Sequence, residues 1–355
     1  MEIGGDFFLT KGDIFPDSHN STLNSLFPGI LLSTCRSAIS EILKEIEFTV
    51  FSKVALVPSF TCHVCVEPFV KSGYNVIPYP VEKDLSIDWE KMLSVIDTYQ
   101  PSILLVHSYF GLNTIKGHGP FIEIIRNKGV LVIEDETQVM FSSFPHLNAD
   151  FFIGSIRKWF PIPDGAFLHG INKISQHFNQ DKELEACKLQ GMLMKGEFLK
   201  SPNNSNKAYR LEQVKAEQFL DSREKTYGIS DFSIKFLGSI NWSSFKASRK
   251  RNYDKLYEII SSQKGIQCVL PRSEDGDVPF MFPVFVDEGR KELQQFLVKN
   301  KIYPTIIWAC PDDLLEKVDS TAKYIYDHIL CFHCDQRYDL DDMERIGSVI
   351  KEYYR

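Results

Sequence analysis

The chain has 355 residues, 43% of them hydrophobic and 25% charged, with a formal net charge of -7. That is the composition of a soluble globular protein long enough for about two domains. The acidic balance argues against a nucleic-acid partner, because phosphate binding rests on clustered Lys and Arg; the short basic run Arg249-Lys250-Arg251 falls in a helix-like stretch as a solvated face.

No apolar run approaches the roughly 20 residues needed to cross a bilayer. The opening residues, Met1 to Asp6, are acidic and carry no signal-peptide pattern. The eight Cys are scattered, so reduced thiols in a cytoplasmic protein are expected. Cys62-His63-Val64-Cys65 and Cys331-Phe332-His333-Cys334 together could supply zinc ligands. The second cluster lacks a zinc-type spacing and falls where a strand would bury small thiols, so no metal is expected.

In chain order, Ser33-Thr34-Cys35-Arg36-Ser37 directly precedes a helical pattern, with Ile39, Ile42, Leu43 and Ile46 at i, i+3, i+4 and i+7. Val54 to Val57 and Asn75 to Val81 are strand-like. Trp89, Met92, Leu93 and Ile96 repeat the helical spacing, with Asp88 as N-cap. Ser102 to His107 is a strand, Phe121, Ile124 and Ile125 mark a helix face, and Val130 to Glu134, Phe151 to Ser155 and Ala166 to His169 are further strands. Such alternation predicts an α/β fold with a mostly parallel sheet covered by helices.

Residues 178 to 226 are rich in Lys, Glu and Gln and read as helical, interrupted by the polar loop Ser201 to Asn206. A long charged helix over 241–262 follows, then a strand over Pro279 to Val286, a helix around Lys291 to Asn300, the Tyr303 to Trp308 segment and a last helix from about Asp341. The predicted division is a large domain over 1–240 and a smaller α+β domain over 241–355. There is no internal repeat and no low-complexity tract.

One constellation points to chemistry. Pyridoxal phosphate (PLP) needs a Lys for its aldehyde, an acid at its pyridine nitrogen, a cradle for its phosphate and a group against its ring. Lys158 follows the strand ending at Ser155, and Asp135 ends an earlier strand, where ligands collect at the carboxyl ends of parallel strands. Gln138 is a candidate for the ring hydroxyl and Ser155 for the phosphate. The start of the first amphipathic helix, with Ser33, Thr34, Cys35, Arg36 and Ser37, would offer backbone N–H groups to the phosphate. A plain N-cap is the bland alternative there. Asp164-Gly165 would turn the chain into the next strand.

At these residues the chain resembles the DegT-like sugar aminotransferases, PLP enzymes of the aspartate-aminotransferase fold (fold type I). Their helix-start motif falls on Thr34 to Ile39, their Pro-Ser-Phe-Thr turn on Pro58 to Cys62, their Glu-Asp-x-x-Gln on Glu134 to Gln138 and their Lys-to-Gly stretch on Lys158 to Ala166. Arg249 to Tyr257 matches their long C-terminal-domain helix. The resemblance implies a ping-pong transaminase in which Lys158 holds PLP, Asp135 its pyridine nitrogen and Gln138 its ring hydroxyl. Glutamate would donate the amino group and a nucleotide-linked keto-sugar would accept it. It also implies a homodimer with active sites at the interface. Lys158 speaks against the family's dehydratase branch, in which a His replaces it.

The departures bear on the substrate. Cys62 stands where the family has an aromatic on the ring, leaving His63 either to take that face or to be a satisfied loop His. Cys35 and Arg36 replace Gly and Thr, Ser155 lies three rather than five residues before the Lys, and Tyr227 to Ser233 occupies the place of the Asn-Tyr-Arg-Met segment. Arg337 could bind a donor carboxylate bidentately or be a surface Arg; Trp308 and Tyr303 could line the substrate pocket or serve in the core. Two other readings stay open: a different PLP reaction (a lyase or an amino-acid transaminase), or a catalytically degenerate relative that binds a ligand.

Overall fold

The computed structural model describes residues 2–11, 26–170, 178–201 and 207–355. Part of the expected polar loop, residues 202–206, lies outside them. In chain order the elements are β1 (Ile3–Gly4), β2 (Ile30–Leu32), α1 (Cys35–Glu45), β3 (Val54–Pro58), α2 (His63–Lys71), β4 (Asn75–Tyr79), α3 (Trp89–Tyr99), β5 (Ile103–His107), α4 (Gly119–Asn127), β6 (Leu131–Asp135), β7 (Phe151–Gly154) and β8 (Ala166–His169). Then come α5 (Lys182–Lys200), α6 (Tyr209–Ser222), α7 (Asp231–Gly238), α8 (Trp242–Ile260), β9 (Ile266–Cys268), β10 (Phe282–Val286), α9 (Arg290–Lys299), β11 (Ile302–Tyr303), α10 (Ser320–His328), β12 (Ile329–Phe332) and α11 (Leu340–Tyr353).

By contacts the chain forms two units. One comprises 6–45 and 151–241; the other comprises 2–5, 46–150 and 242–355.

The second unit carries the predicted α/β alternation. Its strands run parallel in the order β6-β5-β3-β4. All of β5 is buried, as its unbroken Ile-Leu-Leu-Val run requires of a strand covered on both faces. β4 is the edge strand and can therefore hold Pro78, which has no N–H for a further neighbour. It stops at Tyr79, short of the expected Val81, because the Val81 N–H donates to Ser59 Oγ at 3.1 Å. Asp88 caps α3 as expected, accepting from the Lys91 N–H at 3.0 Å. A three-stranded antiparallel sheet, β12-β10-β9, is packed with α8 and α10. β10 begins at Phe282 rather than Pro279, because the Phe280 N–H bonds the Phe110 carbonyl at 2.9 Å instead of a strand. Gly111 makes this approach possible: its φ is +89°, and a Cβ there would meet the Val278 carbonyl oxygen at 2.2 Å.

The first unit is built differently. Its strands are antiparallel, in the order β2-β8-β7. α5 and α6 pack against each other through Leu184, Cys187, Ala216 and Leu220. None of the described helices is long and apolar enough to cross a membrane.

Candidate active site

In the first unit, Lys158 closes a single 3-10 turn, Ile156–Lys158, that follows β7 with Ser155 as its N-cap. Ile156 and Trp159 are fully buried on either side and anchor the turn. The Arg157 N–H donates to the Gly165 carbonyl at 3.2 Å, and the Gly165 N–H to the Ser33 carbonyl at 2.8 Å. The Lys158 backbone is thus tied to β8 and to the residue before Thr34. Lys158 itself is half-buried, and its Nζ has neither a hydrogen bond nor an ion pair among the described residues. A half-buried amine held on a fixed turn without a counter-ion is what a covalent cofactor anchor needs. Ser155 is buried at 2% exposure.

Asp164-Gly165 makes the predicted turn into β8, with Gly165 at φ +136°. Asp164 does more than turn the chain. Its carboxylate accepts from the Ser230 N–H (3.1 and 3.0 Å), the Ser230 hydroxyl (2.8 Å) and the Ser233 hydroxyl (2.6 Å), at the start of α7. Burial pushes its carboxyl up, while those donors pull it back down. Asp164 therefore ties the lysine turn to Ile229-Ser230-Asp231, inside the segment that departs from the family pattern.

At the start of α1, Thr34 is an N-cap: its Oγ1 accepts from the Ser37 N–H at 3.1 Å and lies 2.9 Å from Ser37 Oγ. The bland alternative therefore holds for the Thr34 hydroxyl. The Cys35 and Arg36 N–H groups still begin the helix and keep its anion-favouring end. Arg36 departs from the expectation that its side chain cradles a phosphate. Its guanidinium reaches the C-terminal end of α6, donating to the Leu220 carbonyl and to Asp221 Oδ1 at 3.0 Å. Carbonyls at a helix end and a carboxylate attract that charge.

In the second unit, Asp135 ends β6 as predicted and is 5% exposed. Oδ1 accepts from the Thr137 N–H at 2.9 Å, and Oδ2 accepts from Cys65 Sγ at 3.5 Å and lies 3.4 Å from His107 Nδ1. His107 ends β5 and is Asp135's partner in the parallel register. Its Nε2 is 2.7 Å from Thr61 Oγ1. With Nδ1–H facing the carboxylate, Nε2 accepts the Thr61 hydroxyl proton. Cys65, His107 and Asp135 bring ligand-type atoms within 4.8 Å of one another, and these hydrogen bonds account for the cluster.

Sequence reasoning missed His107, and it missed the part that Cys65 and Thr61 play around Asp135. A polar residue closing the neighbouring parallel strand was the signal available for His107, since such ends face the ligand crevice. Gln138 is buried, and its Oε1 accepts from the Phe110 N–H at 2.7 Å, so its amide group is the end left to donate. Cys62 is the N-cap of α2, with its Sγ 3.5 Å from Cys65 Sγ. His63 is the first residue of that helix and is exposed, not a loop residue.

Trp308 packs beside this cluster, with ring centroids 5.0 Å from Phe60, 6.2 Å from His107 and 6.4 Å from Tyr109. Its backbone sits at φ +60°, uncommon for a bulky residue. Tyr109 donates to the Phe60 carbonyl at 2.7 Å, and Tyr326 both donates to the Thr61 carbonyl and accepts its N–H, each at 2.9 Å. Burial pushes both phenols up, so they stay protonated and pin the Phe60-Thr61 turn.

Two expected substrate residues are engaged elsewhere. Tyr303 lies in β11 and donates to Glu2 Oε1 at 3.1 Å. Arg337 spends its fork on Asp335, with Nε to Oδ1 and Nη2 to Oδ2 both at 2.8 Å, while Nη1 donates to the Gly5 carbonyl. A buried carboxylate needs such a partner, so the guanidinium offers no open bidentate face. Burial opposes the Asp335 charge, but Arg337, His333 and Arg249 hold its carboxyl well below the usual range. Cys331 and Cys334 are fully buried, and burial pushes both thiols up, Cys334 to about 12.

No family model and no curated protein matches this sequence. Solved structures do match its backbone. PseC of Helicobacter pylori, an aminotransferase involved in pseudoaminic acid biosynthesis, aligns over 99% of both chains with a TM-score of 0.70 at 11% identity. A DegT DnrJ EryC1 StrS aminotransferase from Brucella abortus aligns over 94% of this chain and 88% of its own, with a TM-score of 0.64 at 15% identity. The chain has the fold of these aminotransferases. The same fold serves a GDP-4-keto-6-deoxymannose-3-dehydratase, ColD, which covers 94% of this chain and 93% of its own with a TM-score of 0.64 at 15% identity. At such identities the likeness is one of fold, and fold alone does not choose among the activities it hosts.

Proposed function

We propose that this chain is a PLP-dependent aminotransferase acting on a keto-sugar linked to a nucleotide, with glutamate as donor. The observation that carries the reading is the buried carboxylate of Asp135 at the end of a parallel strand, oriented by His107, Cys65 and the Thr137 N–H. A carboxylate so held suits a protonated pyridine nitrogen, and the unpartnered Lys158 amine suits an aldehyde. The aminotransferases that share the fold support the same choice, and Lys158 disfavours the dehydratase alternative.

When bound, PLP supplies the electron sink for breaking a bond at the amino carbon. The chain's own residues do the rest. Asp135 holds its charge against the pyridinium, with His107 fixing its orientation. The Gln138 amide donates to the ring hydroxyl. The N–H groups that open α1 and the Ser155 hydroxyl bind the phosphate. Lys158 Nζ would anchor the cofactor, and its amine would move the proton at the reacting carbon. Trp308 walls the site and limits water. In chain order we assign the cofactor to 1–240 and a smaller domain to 241–355, and we take the working form to be a cytoplasmic homodimer.

The test is titration of cofactor-stripped protein with PLP, followed by addition of glutamate. A saturable new absorption band that glutamate then bleaches supports the reading. A band that responds to none of the amino donors, alone or with keto-sugar nucleotides, removes the transaminase.

A further inference from the structure

The Cys62-x-x-Cys65 pair takes no chemical step in the proposed transamination, Cys65 serving there only to orient Asp135, yet its geometry is specific. Both thiols are nearly buried, at 8% and 6% exposure, and their sulfurs lie 3.5 Å apart. Cys62 is the N-cap of α2, with extended backbone (φ -99°, ψ 155°) and no side-chain cap bond, and Cys65 sits in the helix's first turn, its N–H donating to the Cys62 carbonyl at 3.0 Å. The positive end of a helix favours thiolate character on an N-cap sulfur. A carboxylate stands beside the second sulfur: Cys65 Sγ donates to Asp135 Oδ2 at 3.5 Å. The pair therefore combines a nucleophile at a helix start, a resolving thiol in contact and a base for that thiol's proton.

We propose that Cys62 and Cys65 form a redox-active dithiol that a peroxide closes to a disulfide, detaching Cys65 from Asp135. A peroxide is nearly as small as water and suits sulfurs this enclosed. Cys62 sulfur attacks one peroxide oxygen; the S–O bond forms, the O–O bond breaks, and hydroxide leaves with the Cys62 proton as water. Cys65 then attacks the Cys62 sulfur; the S–S bond forms, the S–O bond breaks, and the departing hydroxide takes the Cys65 proton through Asp135 as a second water. The two thiols lose two electrons together, and the peroxide gains them. The closed form removes one of the donors that orient Asp135, so oxidation acts on the carboxylate of the proposed site.

The experiment exposes the full chain to hydrogen peroxide, blocks remaining thiols under denaturing conditions and maps the peptides by mass. The expected result is an internal Cys62–Cys65 disulfide that dithiothreitol reverses, with Cys331 and Cys334 still blocked as thiols. In Cys65→Ala, Cys62 is expected to proceed to sulfinic acid, because its resolving partner is gone. Two alkylated thiols after peroxide treatment, or sulfinic acid on Cys62 of the unsubstituted chain, overturn the proposal. The mass map needs no cofactor, so its failure is separable from failure of the PLP reading.

Discussion

His107 stands between Thr61 and Asp135, with Nε2 2.7 Å from the threonine hydroxyl and Nδ1 3.4 Å from the carboxylate. Both His107 and Asp135 are 5% exposed, so the carboxylate depends on this ring and on Cys65 for orientation. Replacing His107 with Ala strips a partner from a buried charge, at a cost of about 1–3 kcal/mol. The expected outcome is roughly tenfold or greater loss of PLP affinity, read by spectrophotometric titration. His107→Gln, which keeps a donor, is expected to recover part of it.

Asp335 and Arg337 form the other demanding pair. Their side chains are 3% and 13% exposed and bonded in two places. Arg337→Ala leaves the carboxylate buried without its fork and is expected to destabilise the protein by about 3–5 kcal/mol in chemical denaturation. Arg337→Lys rescues little, because an ammonium cannot span both oxygens. The folded carboxyl is depressed below its ordinary 3.8, so this stabilisation is present above pH 3.8 and fades as pH falls through the folded value.

Glu136 has the opposite sign. Burial pushes its carboxyl up to about 7, with His146, 3.1 Å away, pulling it back and Glu134 adding to the rise. The folded state holds this proton more tightly than the unfolded chain does. The contribution of Glu136 to stability is therefore highest below pH 4.5 and declines as pH rises from 4.5 to about 7, at about 1.4 kcal/mol per pH unit at most. Glu136→Gln is expected to flatten that slope in thermal melts and to raise the melting temperature at pH 8, with little change at pH 4.

Much of this fold was legible because the elements announce themselves. The Ile-Leu-Leu-Val run of β5, the Asp88 cap and the Lys158-to-Gly165 spacing each report a local physical requirement. α2 was not foreseen, since Pro68 lies inside it and a Cys stands at its cap. Asp135 and Lys158 could be nominated from strand ends and spacing. The parts that His107, Cys65 and Thr61 play around Asp135 could not, because they arise through pairing between β5 and β6 and through α2, contacts that no single stretch of sequence contains. The partners of Arg36 and Arg337 escaped the sequence for one reason. An arginine's composition advertises charge, while its partner, Asp221 or Asp335, is set by tertiary packing.

The central claim is that Lys158 carries the cofactor. Incubation with PLP, reduction with borohydride and peptide mapping put it to the most direct test. The account predicts a phosphopyridoxyl adduct on Lys158, absent from Lys158→Ala and weakened in Asp135→Asn. An adduct confined to other lysines, or none at all, contradicts it.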